Sequence, residues 1–183
     1  MPPGDGDLWV FAYGSLMWDP RFPHVESRPA TLHGYHRALC ILSVRNRGTP
    51  DRPGLVVGLD RGGSCRGHAF RVAVRDVEAT RAYLEERELG TGVYVPATRR
   101  VRLAGGESVA ALAFVSRRDH PQYAGTLTAD DAARLVVQGR GAYGTALDYL
   151  QNVVRHLDAF GIADGPLHRV LAIAEAAATG EGR

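Results

Sequence analysis

Leu8-Trp9-Val10-Phe11-Ala12-Tyr13-Gly14-Ser15-Leu16 is the stretch on which the reading of this chain turns. Its first six residues are apolar or aromatic, with a β-branched member, and they end at a glycine. That pattern predicts a short buried strand over Leu8 to Tyr13. The strand runs directly into Gly14-Ser15, where a residue without a side chain lets backbone N–H groups come close to an anionic ligand. An ordinary strand-to-loop turn has the same composition, so both readings stand at this point. A serine nucleophile does not. The strained elbow that presents one reads G-x-S-x-G, whereas here glycine adjoins Ser15 and Met17 fills the last slot.

Upstream, residues 1–7 hold only Pro, Gly and Asp after the first Met, and are expected to form a loose tail. Downstream, residues 17 to 29 carry three prolines and read as a loop. Thr31 to Val44 is strand-like. Leu55 to Leu59 and Cys65 to Val74 read as two further strands separated by the turn signal Gly62-Gly63. Asp76 is a suitable N-cap for a helix over Val77 to Glu88, which stops before Gly90. Val93 to Leu103 and Val109 to Val115 flank Gly105-Gly106 as a hairpin. From Thr128, with Asp131 three residues on, the chain turns helical, broken at Gly139 to Gly144 and Gly161 to Gly165. Strands first, one helix among them and helices last make an α+β pattern. The expected fold is a single domain over residues 8–183: a small mixed, largely antiparallel sheet or barrel with flanking helices.

Composition narrows the function classes. Lysine and arginine number 22 against 20 aspartates and glutamates, a net charge of +2, too small and evenly spread for a nucleic-acid or membrane-surface binder. A hydrophobic fraction of 45% over 183 residues suits one full-sized globular domain. Cys40 and Cys65 make neither a disulfide framework nor a zinc site, and read as small core residues. No stretch reaches the ~18 apolar residues of a membrane span, and the start lacks a signal-peptide core. A cytoplasmic location is the expectation, and the oligomeric state is left open.

Glu88 is the residue most suggestive of chemistry. Successive helical residues turn by about 100°, which brings Glu88 within about 20° of Val77, on the stripe that Leu84 continues. Glu85 and Glu86 turn away from that stripe. A carboxylate on a buried face, at the helix end where the dipole disfavours negative charge, has its pKa raised toward that of a working acid/base. The alternatives are an ion pair with Arg87 or another arginine, or a helix end that rotates into water. His33 and His36, three apart in strand-like sequence, face opposite ways and do not share a metal. Arg45, Arg47, Arg52, Arg61 and Arg66 are spaced through loops as solvated charge, with room for one anion binder. Tyr123 is a loop aromatic suited to a core plug or a ligand contact. The Gly139 to Gly144 stretch has neither glycine-rich phosphate motif.

Taken together, the segments resemble the ChaC-type, glutathione-specific γ-glutamylcyclotransferases. The resemblance lies in Trp9 to Trp18, Arg47-Gly48-Thr49-Pro50 with Pro53-Gly54-Leu55, and Tyr83-Leu84-Glu85-Glu86-Arg87-Glu88. It continues in Ala113-Phe114-Val115, His120 to Gly125, Gly141-Ala142-Tyr143-Gly144 and Asp148-Tyr149-Leu150. The Y-G-S-L and Y-L-x-x-R-E elements are specific as a pair. The resemblance implies a compact mixed barrel, a lyase that converts glutathione to 5-oxoproline and Cys-Gly, and Glu88 as its catalytic acid/base. It also implies substrate contacts at Val10, Phe11, Ala12, Tyr13, Gly14, Ser15 and Leu16, largely through backbone, and at Tyr123. No cofactor or metal is expected. Two other readings remain: a cyclotransferase for other γ-glutamyl amines or amino acids, and a non-catalytic module that binds a γ-glutamyl metabolite.

Overall fold

β1 (Leu8–Ala12) is buried along its whole length, and the computed structural model, which describes residues 6–180, shows why. On one side it pairs antiparallel with β3 (Gly54–Val72), Leu8 opposite Val72 and Ala12 opposite His68. On the other it pairs parallel with β5 (Ser108–Ser116) at Trp9 and Val10. A strand flanked on both edges and covered on both faces has no solvent side, so its sequence is a continuous apolar run rather than an alternation. β2 (Glu26–Ser43) and β4 (Tyr94–Leu103) complete a closed barrel in the order β1-β3-β2-β4-β5. β4 and β5 form the expected hairpin, turning at Gly105 and Gly106, both with positive φ. With its flanking helices, the barrel is the α+β architecture expected.

Three local expectations are corrected. β3 is one strand, not two: Gly62 and Gly63 take φ of +100° and +68° within it, so they bend the strand without ending it. β2 starts at Glu26, inside the segment read as loop, and continues through Pro29. That proline has no N–H to give, but its carbonyl accepts from Ala104 N–H at 2.7 Å. Asp76 makes no side-chain cap. A single 3-10 turn, Val74–Asp76, leads into α1 (Val77–Glu88) instead. The expected tail falls mostly outside the described residues. Asp7, within them, is anchored by Arg71 at 3.0 Å and the Val74 N–H at 2.9 Å.

The described residues divide into two compact units. The first runs up to Arg37 and resumes over Leu59–Arg117, so it holds β1, α1, β4 and β5. Phe11, Leu32, Leu59, Leu84 and Phe114 are fully buried in it. Phe22 stacks edge-on against Phe70 at 5.8 Å and meets Tyr83 of α1 at 6.4 Å, tying the helix to the segment after β1.

The second unit comprises Ala38–Gly58 and the described residues from Arg118 onward. It holds α2 (Ala129–Gln138), the two-residue strands β6 (Arg140–Gly141) and β7 (Gly144–Thr145), α3 (Ala146–Ala159) and α4 (Gly165–Gly180). The glycine-rich break is therefore a miniature hairpin. Thr128 Oγ accepts from Asp131 N–H at 3.1 Å, the cap its spacing predicts, and Thr145 caps α3 in the same way. Leu150, Val153, Val154 and Leu157 of α3 are buried at helical spacing, as are Leu167, Val170 and Ala174 of α4.

Candidate active site

The chain leaves β1 through a turn that is held at nearly every backbone carbonyl. The Tyr13 carbonyl accepts from Arg37 Nε at 2.6 Å, while the Tyr13 hydroxyl donates to the Phe114 carbonyl at 2.9 Å. The Gly14 carbonyl accepts from Met17 N–H at 2.9 Å, closing a 3-10 turn over Ser15–Met17. The Ser15 carbonyl accepts from Asp19 N–H at 2.9 Å. In such a turn the first N–H groups, those of Ser15 and Leu16, have no acceptor within the helix and are the ones a ligand can use. Gly14 sits at φ −131°, outside the left-handed region, so a left-handed backbone is not what calls for a glycine there.

Glu88 is the last residue of α1. Leu84, one turn earlier, is fully buried, and Glu85 and Glu86 are exposed, as the helical spacing predicted. The Glu88 side chain is 18% exposed, and its Oε1 lies 3.3 Å from Arg87 Nε. Burial pushes its carboxyl above the ordinary glutamate value; the Arg87 charge pulls the other way without cancelling the rise. Both sequence readings are therefore present in one residue, a paired carboxylate that still holds its proton more tightly than usual. Arg87 also reaches the turn after β1, donating to Ser15 Oγ at 2.8 Å and to the Asp19 carbonyl at 2.9 Å. One guanidinium thus spans Ser15 and Glu88.

Val10, Phe11 and Ala12 have no exposed side-chain surface, and Tyr13, Gly14 and Leu16 are buried too. What this stretch offers a ligand is backbone, plus the half-buried Ser15. His68, opposite Ala12, is also half-buried, and burial pushes its imidazole below the ordinary value, toward the neutral form. Tyr123 belongs to the second unit, where it bridges Ile41 and lies 6.0 Å below the Arg118 guanidinium. Cys40 and Cys65 are buried and unpaired with each other, and His36 Nδ1 lies 3.0 Å from the Gly62 carbonyl. Among the described residues no three His, Cys, Asp or Glu side chains are grouped to hold a metal ion.

Sequence reasoning missed Arg37. It is 6% exposed and donates to the carbonyls of Tyr13 and Arg66, each at 2.6 Å, with Met17 Sδ at 3.8 Å. The signal was there: Arg37 shares the even spacing of Leu39 and Ile41 along β2, so it lies on their buried side.

The family described as ChaC-like protein matches residues 8–177. The glutathione-specific γ-glutamylcyclotransferase of Escherichia coli K12 is 36% identical over 169 residues, 92% of this chain and 73% of that one. Human glutathione-specific γ-glutamylcyclotransferase 1 is 35% identical over 158 residues, 81% of this chain and 70% of that one. The crystal structure of the yeast γ-glutamyl cyclotransferase specific to glutathione, only 20% identical, superposes with a TM-score of 0.84. That match covers 93% of this chain and 96% of the yeast chain, and establishes a shared fold. No helix among the described residues is long and apolar enough to cross a membrane.

Proposed function

Because the chain belongs to the ChaC-like protein family, we propose that it is a γ-glutamylcyclotransferase that cleaves glutathione to 5-oxoproline and Cys-Gly. The observation that carries this reading is the Glu88 carboxyl, raised by burial and joined through Arg87 to the turn after β1. The reaction needs no enzyme nucleophile. The α-amine of the glutamyl group attacks its own γ-carbonyl carbon, forming a C–N bond that closes a five-membered lactam. The C–N bond to the cysteine nitrogen then breaks. Such a ring closure is unimolecular once the chain is folded on itself, so the protein's task is to hold the near-attack geometry.

Two proton transfers remain, and one carboxyl performs both. Glu88 takes the proton that the attacking amine loses and delivers it to the departing cysteine nitrogen. A carboxyl with a raised pKa serves better in each role than an ordinary one, being a stronger base when ionised and still available as an acid. Backbone N–H groups of Ser15 and Leu16 bind the γ-glutamyl group and stabilise charge on the carbonyl oxygen. Val10 to Leu16 supply the remaining contacts to the γ-glutamyl group through their backbone. Residues 8–183 act as one domain in this reading, which the family match over residues 8–177 supports. We place the protein in the cytoplasm, where glutathione is maintained.

Three peptides test the proposal: glutathione, N-acetyl-glutathione and α-linked Glu-Cys-Gly, each followed by product chromatography. Only glutathione is expected to give 5-oxoproline, because the free amine is itself the nucleophile. Cys-Gly released from the N-acetylated peptide would mean attack by water or by an enzyme group, and the reading would give way to a hydrolase. A parallel panel of γ-glutamyl amino acids separates glutathione cleavage from a broader cyclotransferase. Binding of glutathione without turnover would point to a metabolite-binding module, against which the cost of a buried carboxylate already argues.

A further inference from the structure

Arg87 engages four groups through three nitrogens. Nη1 donates to the Asp19 carbonyl at 2.9 Å and to the Tyr83 hydroxyl at 2.6 Å; Nη2 donates to Ser15 Oγ at 2.8 Å; Nε lies 3.3 Å from Glu88 Oε1. Two of these groups belong to the turn after β1, and two to the end of α1. The guanidinium also lies 5.9 Å from the Tyr83 ring centre, within the reach of a cation–π contact. We propose that Arg87 is a positioning residue for the reaction, locking the Ser15–Asp19 turn to the end of α1 so that the proton carrier and the substrate-binding backbone keep one fixed geometry. This rests on the reading of Glu88 as proton carrier.

The shape of the contact set supports the inference. A guanidinium is a rigid planar fork with donors on three nitrogens, whereas an ammonium places all its donors on one atom. A single lysine nitrogen would have to choose among Ser15, Asp19, Tyr83 and Glu88. The inference also accounts for the neighbouring charges. On α1, Glu85 and Glu86 are exposed and turned away from Glu88, leaving Arg87 as the charge beside it. On the turn, the Asp19 carboxylate is held by Arg21 at 2.9 Å, which with a lesser pull from Arg87 keeps its pKa below the ordinary aspartate value, while the Asp19 backbone carbonyl accepts from Arg87.

The test compares the wild-type protein with Arg87→Gln, Arg87→Lys, Ser15→Ala and the Ser15→Ala/Arg87→Gln double variant. The rate at which each forms 5-oxoproline is followed across pH to give kcat and KM separately, with thermal melting as a check on folding. Arg87→Gln is expected to lower kcat by about tenfold or more, since misplacement of about 1 Å costs up to 10²-fold. Its acid limb should move to higher pH, because burial then acts on Glu88 unopposed. Arg87→Lys keeps the charge and should leave the acid limb near its place, yet lose a comparable share of kcat. Ser15→Ala should cost less in the Arg87→Gln background than alone, because both variants remove one shared contact.

Wild-type kcat in Arg87→Gln, full rescue by lysine, or strict additivity with Ser15→Ala would each overturn the positioning role. If Arg87→Gln fails to fold, Arg87→Lys alone and combined with Ser15→Ala carries the same test. An inactive Glu88→Gln beside normal Arg87 variants would remove this inference alone. An active Glu88→Gln would remove the underlying reading of Glu88.

Discussion

The turn after β1 and the loop between β2 and β3 are both irregular backbone held in a fixed shape, and they are held mainly by different chemistry. Around the first, guanidinium groups grip carbonyls: Arg37 holds Tyr13 and Arg66, and Arg87 holds Asp19. Around the second, in the other unit, backbone packs on backbone at glycines, with one guanidinium contact from Arg47 to the Thr145 carbonyl at 3.3 Å. A Cβ at Gly54 would stand 2.1 Å from the Arg47 carbonyl oxygen, and one at Gly139 would stand 2.3 Å from the Gly54 Cα. One at Gly141 would stand 2.4 Å from the Arg45 carbonyl oxygen. Holding a turn with guanidinium groups brings charge to its neighbours: beside Arg87 the Glu88 carboxyl is raised by burial and pulled partly back by that charge. Holding a loop with glycine contacts fixes shape and leaves titration out of it. In the proposed reaction the first arrangement lies where the proton is carried.

The hardest blow to the first region is Glu88→Gln. The amide is nearly isosteric but carries no proton between sites, so 5-oxoproline formation should fall by about 10²-fold or more. Stability should move the other way. A carboxyl whose folded pKa is raised is penalised where it must ionise, so the wild-type protein loses stability as pH climbs from the unfolded-state value of 4.5 through the folded one. Glu88→Gln should therefore melt at or above the wild-type temperature at pH 7, with the difference vanishing below about pH 4. Melting curves at both pH values check this. A clear drop at pH 7 would mean that the charge is stabilising, and the contrast between the regions would weaken.

Arg37→Met strikes the cation grip itself. It takes the guanidinium from the buried Tyr13 carbonyl, at about 1–3 kcal/mol, and from the part-buried Arg66 carbonyl, where the cost is smaller, and urea unfolding should show the loss. The same experiment on Gly54→Ala measures the glycine contacts. Overpacking against backbone that cannot move aside should cost about 1–3 kcal/mol. Gly34→Ala is the control: its φ is +86° but nothing lies within 4 Å of the added Cβ. It should cost only the backbone term, about 1 kcal/mol. Equal losses in Gly54→Ala and Gly34→Ala would show that conformation, not close approach, is what the loop glycine supplies.

The same contrast explains what could be read from the sequence. Glu88 was legible because helical periodicity fixes which way residue 88 points relative to Leu84, and α1 is regular to its last residue. β1 and the capped start of α2 were legible for the same reason, local pattern matching local structure. The grip of Arg87 on Ser15 was not, since the two are 72 residues apart in the chain. Nor was the packing of Gly54 against Gly139: a glycine that admits another backbone looks the same in sequence as one that makes a turn. Gly62 and Gly63 show the converse, a turn signal absorbed into a continuous β3 because pairing on both sides of the bend outweighs it.

The smallest expected effect tests whether the second unit is free of titration in its interior. In that unit His168, near the start of α4, has its imidazole raised above the ordinary value by the Asp164 carbonyl at 2.6 Å and the Asp158 carboxylate at 2.7 Å. These contacts are at the surface, with His168 and Asp158 both substantially exposed, so solvent and salt screen them heavily. A raised folded pKa means the stabilisation is fully present below the unfolded value, about 6.5, and is lost as pH rises through the folded value. His168→Gln should therefore lower the melting temperature slightly at pH 5.5 to about 6, and leave it unchanged near pH 9. Added salt should shrink the difference at the lower pH. A large, salt-insensitive effect would mean that His168 titrates inside a packed interior, and that the second unit, like the first, is held by buried charge.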